Sequence, residues 1–244
     1  MRDFEMAQKL IAGLDLTSLN KDDNETAITK LCEKACTPYG KVAAVCIYSK
    51  FIPLAQKLLD GQGIKIATVI NFPAGGTNFK EIAEEIKKAK AFGADEIDAV
   101  FPYKDFLSGK TDICRHFMEC VTKEANGKQI KIILESGAFP HISNLKEACR
   151  LCLEYNINFL KTSTGKTQIS ATTDAANAIL EVIRETPRNV GFKASGGIKN
   201  FEQARQYFIL AQSILGEDWP APQHFRIGAS SLLDNLIQII KKGC

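Results

Sequence analysis

The sequence has no long apolar run. None of its 244 residues belongs to a stretch near the ~20 apolar residues that a membrane span needs, so no membrane partner is expected. The first ten residues, MRDFEMAQKL, are charged throughout and lack the apolar core of a secretion signal, which reads as a cytoplasmic protein. Charge of one sign is also scarce. A net charge of +3, with no basic run interleaved with aromatics, argues against nucleic acid as a partner. Histidine is rarer still, with three residues far apart. The close cysteine pairs Cys32/Cys36 and Cys149/Cys152 therefore lack the partners a zinc site would want. Both pairs fall in helical patterns and read as half-buried thiols in a reducing compartment. No Gly-rich dinucleotide fingerprint follows the first strand-like run, and no Pro/Gly/Ser-rich linker divides the chain. One domain over residues 1–244 is the economical reading.

What is present is ordinary in amount and regular in order. An apolar content of 45% with 24% charged residues suits a soluble protein able to bury its own core without disulfides or metals. Short runs rich in apolar and β-branched residues recur about every thirty residues, at 12–17, 42–48, 64–71, 96–101, 131–136, 159–163, 190–195 and 225–229. Amphipathic segments of helical period lie between most of them, the clearest at 79–93, 172–187 and 201–216. Gly93, Pro187 and Gly216 stand at their ends. Eight βα units in a chain of this length predict an α/β protein, a closed (β/α)8 TIM barrel, rather than an open sheet.

In such barrels chemistry sits at the C-terminal ends of the strands, where a polar residue is informative because the rest of the strand must be apolar. Asp98 lies in EIDAVFPY, Lys161 in FLKTSTGK and Lys193 in VGFKASGGIK. Alternation puts Phe159, Lys161 and Ser163 on one face, and Gly191, Lys193 and Ser195 on one face of the next strand. Leu160 and Phe192 then point outward. Two lysines on adjacent strands are thus expected to aim into one barrel mouth. A buried ion pair with Asp98 is one reading. The other is an activated amine, because a neighbouring cation and desolvation both lower a lysine pKa.

A second cluster is rich in glycine and hydroxyls. Thr164-Gly165-Lys166, Ser195-Gly196-Gly197 and Gly228-Ala229-Ser230-Ser231 follow strands six, seven and eight. Backbone N–H groups at those ends suit a phosphate, and Lys166 and Lys199 add charge. Asp15, Thr17 and Asn20 near the end of strand one, Cys46 on strand two and Glu135 on strand five are further candidates to line the pocket or orient a neighbour. Cys46 also reads as a small buried filler.

The motifs LDLTSLN, VCIYSKF, INFPAGG, GADEIDAVFPY, FLKTSTGK, VGFKASGGIK and FRIGASSLL, in this order over nearly the whole chain, resemble the deoxyribose-phosphate aldolase family. The resemblance implies that Lys161 is the Schiff-base lysine, with Asp98 and Lys193 as proton relay and activators of its amine. It implies phosphate contacts from Gly165, Lys166, Gly196, Gly197, Gly228, Ser230 and Ser231, with Asp15, Thr17 and Cys46 lining the substrate pocket. It implies reversible cleavage of 2-deoxy-D-ribose 5-phosphate to acetaldehyde and D-glyceraldehyde 3-phosphate, without metal or organic cofactor, in deoxyribonucleotide catabolism. Some members end in a flexible tail whose tyrosine assists proton transfer. This sequence ends at KKGC, a departure that bears on the proton step and its rate rather than on the reaction class. Rival readings are another Schiff-base aldolase such as a transaldolase, a pyridoxal-phosphate enzyme, and an inactive sugar-phosphate sensor. The oligomeric state stays open, a homodimer included.

Overall fold

The computed structural model describes residues 1–243. Eight parallel strands close into one barrel: β1 (Leu14–Thr17), β2 (Ala44–Ile47), β3 (Lys65–Ile70), β4 (Glu96–Val100), β5 (Gln129–Ile133), β6 (Phe159–Lys161), β7 (Gly191–Ser195) and β8 (Phe225–Ala229). Each pairs with its neighbour in sequence, and β1 pairs with β8 to close the ring. The expected (β/α)8 TIM barrel is the observed fold. Cys244, the expected end of the domain, lies outside the described residues.

Alternation decides what each strand shows to the barrel. Leu14 and Leu16, Ile97 and Ala99, Ile130 and Ile132, Leu160, Phe192 and Ala194, and Phe225 and Ile227 join the main apolar layer between strands and helices. The other face of every strand is left for the interior. The surrounding helices start where the sequence supplies a cap. The Asn24, Asn78, Thr172 and Asn200 side chains accept from N–H groups in the first turns of α1 (Glu25–Lys34), α2 (Phe79–Ala91), α3 (Thr173–Glu185) and α4 (Phe201–Leu215). Gly93, just past α2, takes φ +93°, a left-handed stop that glycine permits.

Most strand bounds differ from the sequence expectation by one or two residues at an end. The larger change is β5, expected at 131–136 and found at Gln129–Ile133. The run IILES reads as strand throughout, yet Leu134 ends the apolar pattern and Glu135 takes a left-handed φ of +55°. That shift moves Lys131 from the start of the strand to its middle. Among the described residues no helix is long and apolar enough to cross a membrane.

Candidate active site

The barrel interior holds charge instead of the branched apolar layers usual in this fold. Seven charged side chains point into it, each no more than 6% exposed: Asp15, Glu96, Asp98, Lys131, Lys161, Lys193 and Arg226. Burial of isolated charges is expensive, and here every one is paired. Asp98 is the hub. Its Oδ2 accepts from Lys161 Nζ at 2.7 Å and Lys193 Nζ at 2.8 Å, and its Oδ1 accepts from Lys131 Nζ at 2.7 Å. Lys193 also donates to Asp15, and Lys131 donates to Glu96 at 2.5 Å. Arg226 closes the lower layer by reaching Asp15 at 2.6 Å and Glu96 at 3.1 Å. Strand register makes this layer possible, since Lys161 lies directly opposite Lys193 and Asp98 opposite Lys131.

The electrostatics separate the three lysines. Burial disfavours the charged form of Lys161, and Lys193 beside it adds repulsion. Together these outweigh Asp98 and bring the amine below the usual lysine range. Burial acts on Lys193 and Lys131 too, but Lys193 faces Asp15 and Asp98, and Lys131 faces Asp98, Glu96 and Asp15. Both are raised. Burial alone would raise Asp98, yet three ammonium groups hold its carboxyl well below the usual carboxylate range. Access separates them as well. The Lys161 side chain keeps 4% exposure, whereas those of Lys131, Lys193, Asp15 and Asp98 have none. One lysine of three therefore combines a lowered pKa with a remnant of exposure.

Above this layer, the strand ends form a cleft of about 660 Å³ counting its open mouth. Thr17, Asn20, Thr164, Gly165, Lys166, Gly196, Gly197, Lys199, Gly228, Ser230 and Ser231 line it. All the glycine- and hydroxyl-bearing positions expected from sequence after β6, β7 and β8 meet here. Two glycines are required by space. A Cβ on Gly196, at φ +96°, would lie 2.6 Å from Ser170 Cβ, and one on Gly228 would lie 3.0 Å from Lys193 Cε. Gly228 thus separates the cleft from the lysine layer by a single missing methyl group. Lys166 spans the mouth, its Nζ donating to the Leu19 carbonyl at 2.8 Å.

Two expected pocket residues lie lower down. Asp15 is fully buried in the ionic layer. Cys46 is fully buried beside Ala44, Ala67, Val69 and Leu19, and burial pushes its thiol up. Thr17 lines the cleft, but its hydroxyl donates to the Asp15 carbonyl at 2.8 Å. Sequence reasoning passed over Lys131, Glu96 and Arg226. Lys131 breaks an apolar run as Lys161 and Lys193 do, and Glu96 and Arg226 share a face with Asp98 and Gly228, so alternation alone places all three inside. Of the cysteine pairs, Cys149 and Cys152 are buried, Cys32 is buried and Cys36 is exposed. No group of three or more possible metal ligands occurs among the described residues.

The sequence matches the DeoC/LacD family aldolase profile over residues 9–235. The chain belongs to the DeoC/LacD aldolase family. It is accordingly a carbon–carbon lyase. Solved structures share its fold. A candidate deoxyribose-phosphate aldolase of Toxoplasma gondii ME49 superposes with TM-score 0.90 at 22% identity, covering 98% of this chain and 97% of that one. One from Coccidioides immitis gives 0.85 at 24% identity, over 95% and 86%. The deoxyribose phosphate aldolase of Aeropyrum pernix, described as a tetramer, gives 0.80 at 23% identity, over 98% and 93%. At these identities the likeness is one of fold.

Proposed function

We propose that this aldolase reversibly cleaves 2-deoxy-D-ribose 5-phosphate to acetaldehyde and D-glyceraldehyde 3-phosphate, through an imine on Lys161, in deoxyribose phosphate catabolism. The observation that carries the reading is the contrast among the three buried lysines. Lys161 alone has a lowered pKa and a remnant of exposure, the two properties an amine nucleophile needs.

Lys161 adds to the C1 aldehyde of the open-chain sugar, and loss of water from the carbinolamine gives a protonated imine. The imine draws in the electron pair as the C2–C3 bond breaks, so no metal or organic cofactor is called for. The proton of the C3 hydroxyl passes to Asp98 through a water. Consuming the Lys161 amine weakens one of the two donors on Asp98 Oδ2, which opens a lone pair to that water. The resulting enamine takes a proton at C2, and hydrolysis of the imine releases acetaldehyde. Before the imine forms, Lys193, itself charged, repels a proton from Lys161 and keeps Asp98 ionised, ready to receive the hydroxyl proton. The phosphate is held in the cleft by Gly165, Lys166, Gly196, Gly197, Gly228, Ser230 and Ser231, so binding energy far from the reacting bond serves positioning.

Borohydride reduction during turnover of deoxyribose 5-phosphate, followed by peptide mapping, is expected to leave one stable adduct, on Lys161. An adduct on another residue, or none, overturns the assignment.

A further inference from the structure

The loop after β6 forms one wall of the cleft, and it rests on a carboxylate that the proposed reaction does not use. Glu135 is fully buried two residues past the end of β5, with a left-handed φ of +55° that a side-chain-bearing residue adopts only when its surroundings hold it there. This backbone is accompanied by a side chain seated beneath the next loop. There Oε2 accepts from Thr164 Oγ1 at 2.5 Å, and Oε1 accepts from the Thr164 N–H at 3.3 Å and from Thr167 Oγ1 at 3.1 Å, whose one proton is shared with the Ile169 carbonyl at 3.0 Å.

The chain of donors continues. The Thr164 hydroxyl accepts from the Lys166 N–H at 3.0 Å. Its one proton is already given to Glu135, so it has none to offer a ligand. The amides of Thr164 and Lys166 are both turned back into the protein. Between them, Gly165 sits at φ +75°, and its N–H has no acceptor among the described residues. The far end of the loop presses on the turn after Glu135, because a Cβ on Gly137 would lie 2.1 Å from the Ile169 carbonyl oxygen.

We propose that Glu135 is a positioning residue for the anionic end of the substrate. It does not touch the phosphate; it fixes Thr164-Gly165-Lys166 so that the Gly165 N–H and the Lys166 ammonium face it. Thr164 is then a bracket and not a phosphate donor. Preorganising a binding loop in this way lowers the ordering cost that a ligand must otherwise meet. The inference rests on the sugar-phosphate reading of the cleft.

The test compares wild type with Glu135→Ala, Glu135→Gln and Thr167→Val. Calorimetry gives the Kd for inorganic phosphate, and kinetics give kcat/KM for deoxyribose 5-phosphate and for unphosphorylated deoxyribose. Loss of hydrogen bonds to a charged acceptor predicts about tenfold weaker phosphate binding in Glu135→Ala, and a fall of about tenfold in the preference for the phosphorylated sugar. Glu135→Gln keeps an acceptor and recovers part of both, while Thr167→Val, losing one bond, changes them a few-fold. If Glu135→Ala does not fold, the latter two variants carry the comparison. Equal losses on both sugars, or no change in phosphate binding, overturns the proposal. Should wild type bind phosphate but not cleave deoxyribose 5-phosphate, weaker phosphate binding by the variants still upholds Glu135 while the reaction assignment falls. A wild type that binds no phosphate overturns the Glu135 proposal, and the reaction assignment falls with it if deoxyribose 5-phosphate is not cleaved either.

Discussion

Two arcs of the same barrel lining are built to opposite rules. Along β2 and β3 the interior is small and apolar: Ala44, Cys46, Ala67 and Val69. From β4 round to β1 it carries three carboxylates and four cations. The carboxylates Asp15, Glu96 and Asp98 match Lys131, Lys193 and Arg226 one for one, leaving Lys161 as the fourth cation in a site with no fourth anion. A charge surplus in a dry interior is relieved most cheaply by losing a proton. The apolar arc matters to that outcome because it supplies no compensating carboxylate. The difference between the arcs therefore works with desolvation and repulsion from Lys193 to lower the Lys161 pKa.

The strongest test separates the surplus cation from the matched ones. Lys161→Met removes the proposed nucleophile, so turnover should fall by about four orders of magnitude or more, with no adduct on borohydride reduction. Its stability to denaturant should change little, since Asp98 keeps Lys131 and Lys193. Lys131→Met should do the reverse damage. Glu96 and Asp98 each lose a cation at zero exposure, and breaking a buried pair in this way costs about 3–5 kcal/mol. Chemical denaturation of both variants reads the contrast directly. Equal destabilisation would mean that Lys161 is an ordinary member of the ionic layer.

This contrast also marks how much was legible in the sequence. Eight apolar runs and the polar residues that interrupt them gave the barrel, because strand period and crossover length leave few alternatives. Lys161, Lys193 and Asp98 stood out as charges within such runs. Lys131 carried the same signal and was obscured by one displaced strand boundary, since IKIILES is apolar well past the point where the backbone turns at Glu135. The pairing of Asp15 with Arg226 joins the first strand to the last, 211 residues apart. No local pattern reports a contact that exists only because the barrel closes.

The charged arc should also respond to acid in a way the apolar arc does not. Asp15 and Asp98 are both depressed by the surrounding cations despite burial. Groups depressed in the folded state add stability that is fully present above their unfolded pKa of about 3.9, and lose it as pH falls towards their folded values. Denaturant midpoints should therefore hold steady down to about pH 5, then decline steeply below about pH 4. In Asp15→Asn that decline should become shallower, on a lower plateau. An unchanged acid slope would remove Asp15 from the network.

The smallest effects come from the apolar arc, and one substitution there tests the charge count itself. Cys46 lies near enough to influence Lys161, yet its burial-raised thiol carries no charge at neutral pH. Cys46→Ala should cost only about 1–2 kcal/mol of stability, as a small cavity does, and leave the pH dependence of the reaction in place. Cys46→Asp alters volume little but supplies the missing fourth carboxylate. Lys161 would then be held as ammonium, so the rise of kcat/KM with pH should move up by about one unit, with activity near neutrality falling about tenfold. If the profile of Cys46→Asp instead matches that of Cys46→Ala, the imbalance of three anions against four cations is not what keeps the Lys161 amine free, and repulsion from Lys193 with desolvation must suffice alone.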